Sequence, residues 1–150
     1  MESTANKNFN EQNLKPFSYI NGKINVVEFL EATSSLIKVI DGLGKSFAPV
    51  KYDMEGNVEK IKKHYKYDKD SCLLELMAEE HTKGKNEAAE GILWLNRALL
   101  FFELIFQEII VCLRSKNDVN MKKIYTMAYE GSVKKYHSWV VQRLFEVCFN

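Results

Sequence analysis

The feature that most limits what this chain can fold into is its prolines. Both of them, Pro16 and Pro49, lie in the first third. Proline fixes φ and removes a backbone donor, so it breaks helix interiors. Nothing after Pro49 carries that restriction, and no apolar/polar alternation of strand type stands out. What recurs instead is apolar residues at helical spacing. The spacing predicts six helices, over 26–43, 49–67, 71–81, 86–114, 119–129, and from about 132 to the end. The first turns Val26, Phe29, Leu30, Leu36, Ile37, Ile40 and Leu43 inward and ends at Gly42 and Gly44. Pro49 suits the first turn of the second, and Ser71 is a plausible N-cap for the third. The fourth is long, with a wide stripe of Leu95, Ala98, Leu99, Phe102, Ile105, Phe106, Ile109 and Leu113, and is expected to be central.

The second helix repays closer reading. Asp53, Asn57 and Lys60 stand at i, i+4 and i+7, which stacks a carboxylate, an amide and an ammonium on one side. Beside them runs a second series, Val50, Met54, Val58, Ile61 and Tyr65, a core-facing stripe. The helix therefore buries one side and offers polar groups next to it. Gly56 within it costs about 1 kcal/mol against alanine, which a turn-like start would explain.

Bulk properties narrow the classes. The 150 residues fit one domain, with residues 1–14 reading as a flexible polar tail and 15–150 as the folded unit. A net charge of +1 gives no argument for nucleic acid. Lysines cluster at Lys60, Lys62, Lys63 and Lys66 and at Lys122, Lys123, Lys134 and Lys135; solvated helix faces are the plain reading, and a weak docking surface for anionic lipid headgroups is the alternative. Cys72, Cys112 and Cys148 are an odd, widely spaced set with neither zinc spacing nor a disulfide framework. Cys112 and Cys148 are expected to be buried, and a reducing compartment, the cytosol, is expected. The most apolar segment, 92–113, contains Asn96, Arg97, Glu103, Gln107 and Glu108, too many polar groups for a membrane span. No secretory leader is visible at the N-terminus.

No Gly-rich phosphate loop, HExxH, nucleophile elbow or metal-ligand spacing is present, and His64, His81 and His137 are scattered. This argues against an enzyme and calls for no cofactor or metal. Three segments remain: "DMEGNVEK" from Asp53, "WLNRAL" from Trp94, and "AYEGSVKKYHSWVV" with His137 and Trp139. In this order, after "FLEATSSLIKVIDGLGKSFAPV", they resemble the glycolipid transfer protein family over residues 14–150. The resemblance implies an all-α, two-layer helical sandwich that carries one glycosphingolipid between membranes. It implies that Asp53, Asn57, Lys60 and Trp94 hold the sugar headgroup and that His137 holds the ceramide amide. It also suggests that Trp139 touches the membrane interface, although a core position is an equal alternative. Taken singly, each residue has a plainer reading: a core tryptophan, a satisfied core histidine, solvent-facing polar groups.

The chemistry suits a sugar. A carboxylate accepts from two hydroxyls, an amide donates and accepts, an ammonium donates. An indole offers a flat apolar platform and a free N–H. The expected liners of a chain pocket between helix layers are Phe29, Leu30, Ile37, Ile40, Phe47, Leu99, Phe102, Phe106, Val133 and Leu144. The related ceramide-1-phosphate carriers place a basic residue where this chain has Asn57 and an arginine where it has Trp94, so the sugar version is expected. Arg97, one turn on, reads as structural. A ceramide-1-phosphate carrier or a helical protein-interaction module without lipid transfer are the alternatives. Family members continue beyond the segment that ends here, with helices that cover the pocket. Apolar surface near 144–149 and self-association are therefore expected.

Overall fold

The computed structural model describes residues 14–65 and 68–149. The tail over 1–13, Lys66, and the expected end of the second helix at Tyr67 lie outside the described residues. Six α-helices are present among those described: α1 (Val26–Gly42), α2 (Ala48–His64), α3 (Leu73–Thr82), α4 (Glu87–Arg114), α5 (Met121–Gly131) and α6 (Trp139–Phe149). The all-α sandwich is as expected. Helix α4, 28 residues and ~42 Å long, packs along α2 and also touches α3 and α5, while α1 rests on α2. None of the described helices is long and apolar enough to cross a membrane.

Caps explain where the helices start. Asn25 opens α1 by accepting from the Glu28 N–H at 3.1 Å, and Asn120 opens α5 by accepting from the Lys123 N–H at 3.0 Å. Gly44, at φ +119, supplies the left-handed turn that ends the α1 region. A 3-10 turn, Lys45–Phe47, then leads into α2, with Pro49 in its first turn. The N-cap of α3 is Cys72 rather than Ser71. The cause is a short antiparallel bridge between Asn25 and Cys72. The Ser71 carbonyl accepts from the Val26 N–H and the Leu73 N–H donates to the Ile24 carbonyl, which holds Cys72 extended against the start of α1.

The last helix begins later than its pattern suggested. Ser132 closes α5 instead of opening α6, its hydroxyl donating back to the Ala128 carbonyl. A 3-10 turn, Lys134–Tyr136, follows, and His137 is extended. The turn is fastened by Gln142, whose Nε2 donates to the carbonyls of Lys134 and His137 at 3.1 and 3.0 Å.

The core is one cluster in which Phe101, Phe102, Ile40, Met54, Ile61, Leu95 and Ile105 are almost fully enclosed. Two inward assignments fail, both at helix ends, where Leu43 and Leu113 are exposed; Leu36, Leu99, Phe106 and Ile109 are partly buried and pack against the cluster. Cys72 is the buried thiol, whereas Cys112 and Cys148 are half-buried; all three are free.

One buried charge holds the start of α4. Glu80, 3 % exposed on α3, accepts from the Ala88 and Ala89 N–H groups at 2.7 and 3.0 Å. The two amides are among the four that a helix start leaves without partners. Glu80→Ala strands both, and is expected to cost about 3 kcal/mol. Glu80→Gln, which keeps one acceptor, is expected to recover part of it. Urea denaturation of the two variants measures the difference.

Candidate functional site

Three elements bring the predicted residues together. Asp53 comes from the second turn of α2, Trp94 from the third turn of α4, and His137 from the loop between α5 and α6. All three line one cavity of about 230 Å³. Its remaining walls are apolar: Pro49, Val50, Ala98, Phe101, Val133, Val141 and Phe145.

The close approach of α2 and α4 explains the convergence. Gly91 is buried on α4, and a Cβ there would stand 2.8 Å from the Asn57 carbonyl oxygen and 3.2 Å from the Lys60 Cβ. Only glycine lets the two backbones meet at this depth. One turn further along α4, Trp94 then lies over the start of α2. Gly56, by contrast, sits within regular α2 with nothing within 4 Å of a Cβ, so neither a turn-like start nor packing accounts for it.

Asn57 and Lys60 do not line the cavity. Asn57 is buried at 4 % exposure, and its Nδ2 donates to the Asp53 carbonyl at 3.0 Å and to Asp53 Oδ2 at 3.3 Å. It thus steadies the carboxylate that does face the cavity. Lys60 reaches Glu90 on α4, at 3.7 Å. Trp139 is 69 % exposed, with the Arg143 guanidinium 5.7 Å from its ring centre. Of the ten expected chain-pocket residues, Val133 borders this cavity. Phe29, Leu30, Ile37, Ile40, Phe47 and Phe102 are packed into the closed core, Leu99 and Phe106 lie against it, and Leu144 is 61 % exposed. Leu30 also borders a separate, more open groove on the surface of α1. The lysines also differ from a free basic patch: Lys60, Lys62, Lys63 and Lys134 each pair with a glutamate.

Electrostatics and hydrogen bonds set the state of the polar groups. Burial pushes the Asp53 carboxyl above its usual range, while His137 and Lys60 pull it back. Burial pushes His137 below its usual value; Asp53 opposes this and the Arg97 guanidinium adds to it. A neutral imidazole results at physiological pH. The Tyr129 hydroxyl lies 2.9 Å from His137 Nδ1, and burial raises its pKa to about 12. When that hydroxyl donates to Nδ1, the neutral ring carries its proton on Nε2, free to donate to a carbonyl. The Trp94 and His137 rings stack at 5.9 Å and 21°.

Sequence reasoning missed Gly91 and the aromatic surroundings of Arg97. A glycine inside an apolar helix was the available signal for the first, since it costs about 1 kcal/mol unless it permits something. The second needed the spatial meeting of α4 with Tyr136, which no spacing reveals. No cluster of metal-ligating side chains occurs among the described residues.

Comparison with known proteins adds an independent line. The glycolipid transfer protein family model matches residues 24–150. The chain is 37 % identical over 127 residues to the glycolipid transfer protein of Danio rerio, covering 79 % of this chain and 61 % of that protein. It superimposes on the crystal structure of the fungal glycolipid transfer protein HET-C2 with a TM-score of 0.76 and 31 % identity, covering 89 % of this chain and 68 % of that one. Mouse ceramide-1-phosphate transfer protein shares the fold, at a TM-score of 0.71 and 20 % identity over 92 % of this chain and 69 % of that one. The chain thus spans about three-fifths of the length of the curated relatives it matches.

Proposed function

The chain belongs to the glycolipid transfer protein family, and from that premise we propose that it binds one glycosphingolipid and carries it, or reports on it, between membranes. The observation that carries this reading is the cavity. A carboxylate, an indole and a neutral imidazole converge over an apolar floor, the groups a sugar joined to an amide would use. Asp53 accepts from sugar hydroxyls, Trp94 stacks on the C–H face, and His137 donates to the ceramide amide. Asn57 acts through Asp53, and Lys60, partnered by Glu90, reaches a hydroxyl only by leaving that pair. No covalent step is needed.

The need for a carrier follows from the ligand. A ceramide has about thirty chain carbons, and at about 0.8 kcal/mol per CH₂ its exposure to water costs more than 20 kcal/mol. The cavity is smaller than the roughly 300–1,000 Å³ of small-molecule pockets. It therefore suits the headgroup and amide, and cover for the chains requires the helix layers to part. The folding unit over 15–150 is the part we assign to this task, acting in the cytosol with transient contact at membrane surfaces through Trp139.

The ceramide-1-phosphate alternative is less well supported. A phosphate wants several cations converging on one point, whereas the cavity is lined by Asp53 and a neutral His137. Native mass spectrometry after mixing with glucosylceramide or ceramide-1-phosphate vesicles tests the reading. One bound glucosylceramide per chain is the expected result. Preferential capture of ceramide-1-phosphate sinks the sugar assignment, and capture of neither leaves the interaction-module reading, to which the exposed Val140, Leu144 and Val147 face of α6 would then belong.

A further inference from the structure

We propose that Arg97 is a positioning residue for this site: its guanidinium, held between the rings of Trp94 and Tyr136, fixes the indole plane on which a sugar would stack and ties α4 to the turn that carries His137. The inference rests on the headgroup reading only for the identity of the ligand.

The geometry is specific. Arg97 Cζ lies 3.5 Å from the Tyr136 ring centre and 4.6 Å from that of Trp94, both within the range where a cation is drawn to an aromatic face. Arg97 is half-buried and pairs with no carboxylate among the described residues, so these two rings are what its charge meets. Trp94 is three residues earlier on the same helix, the spacing at which helical side chains touch. Tyr136 immediately precedes His137, and the Trp94 indole stacks on the His137 ring. The four side chains thus form a closed circuit, in which two links pass through Arg97.

A lysine would not serve in its place. An ammonium is a compact point charge, whereas the planar guanidinium can lie flat against two rings at once. Loss of Arg97 leaves the indole its ring contact with His137 and makes it freer to leave the plane the sugar needs. It also takes a cation away from His137, whose other polar neighbours are Asp53 and the Tyr129 hydroxyl. The ring should then titrate at higher pH.

The test uses the Trp139→Phe chain, in which the long-wavelength tryptophan edge of the near-ultraviolet circular dichroism, beyond the tyrosine bands, reads Trp94 alone. In that background, Arg97→Gln is expected to lose most of the Trp94 band and to weaken binding of short-chain glucosylceramide about ten-fold. Far-ultraviolet helicity should be retained. Arg97→Lys is expected to recover neither band nor affinity. An unchanged band and affinity in Arg97→Gln overturns the proposal, and so does full recovery by Arg97→Lys, which would make charge alone sufficient. Should Arg97→Gln fail to fold, Arg97→Lys decides by the same two readouts. If the parent binds no glucosylceramide, the headgroup reading fails, while the Trp94 band still decides whether Arg97 sets the ring.

Discussion

Asp53→Val is expected to abolish glycolipid binding and transfer while leaving the helices intact. The carboxylate faces the cavity with Trp94 and His137, and no other described anion lines it. Two charge-assisted bonds to sugar hydroxyls are lost, at about 1.5–3 kcal/mol each, so affinity should fall at least about 100-fold. Stability should move the other way. Burial raises the Asp53 pKa, so the folded state binds this proton more tightly than the unfolded one. The sign follows directly: stability falls as pH rises from the ordinary carboxylate range through the raised value. Removing the group removes that loss, and the variant should melt higher at neutral pH than the parent. His137 should also titrate lower, having lost the anion that opposes its neutral form. Vesicle transfer of glucosylceramide, thermal melting and NMR titration of the imidazole check the three parts. Unchanged transfer removes Asp53 from the site.

The second large effect concerns two glycines in helix interiors, for which the structure predicts opposite signs. Gly56→Ala meets open space and should stabilise by about 1 kcal/mol through helix propensity. Gly91→Ala drives a Cβ to 2.8 Å from the Asn57 backbone carbonyl, an atom that cannot swing aside. Overpacking of about 1–3 kcal/mol then outweighs the gain in propensity. Gly91→Val, with two further methyl groups and a branch at Cβ, should cost about 3 kcal/mol or more. Because α2 and α4 would separate there, glycolipid affinity should fall with stability in both Gly91 variants. Urea midpoints at constant m give the stability order. Equal behaviour of Gly56→Ala and Gly91→Ala would contradict the contact between α2 and α4.

How much of this could be read from the sequence depends on the range of the interaction. Helices α1, α2 and α4 were legible because their apolar stripes are local and strong. Neither Ser71 nor Ser132 opens a helix, for different reasons: the long-range bridge between Asn25 and Cys72 holds the first, while the second closes the preceding helix through a local bond to the Ala128 carbonyl, a choice between two caps that spacing does not make. The face of α2 that presents Asp53 was legible from spacing. The same spacing gave Asn57 and Lys60 the same role, although one is buried under Gly91 and the other reaches Glu90. Both partners lie on α4, about thirty residues away. The expected chain-pocket residues were chosen for being apolar and inward, which describes a closed core as well as it describes a liner. Only the enclosure of Phe102 or Ile40, and the exposure of Leu144, separates the two.

Helix α6 contributes no fully enclosed side chain. What holds it is a row of rings on one side: Phe145 stacked on Tyr129 at 3.9 Å, and Phe149 against Phe47 and Tyr125. Helix α4, clasped by its neighbours, should surrender its amide protons only when the whole chain comes apart, whereas α6 can detach at a fraction of that free energy. Val141 and Phe145 are walls of the cavity, so the frontier between its interior and the solvent is guarded by a helix that is itself lightly held.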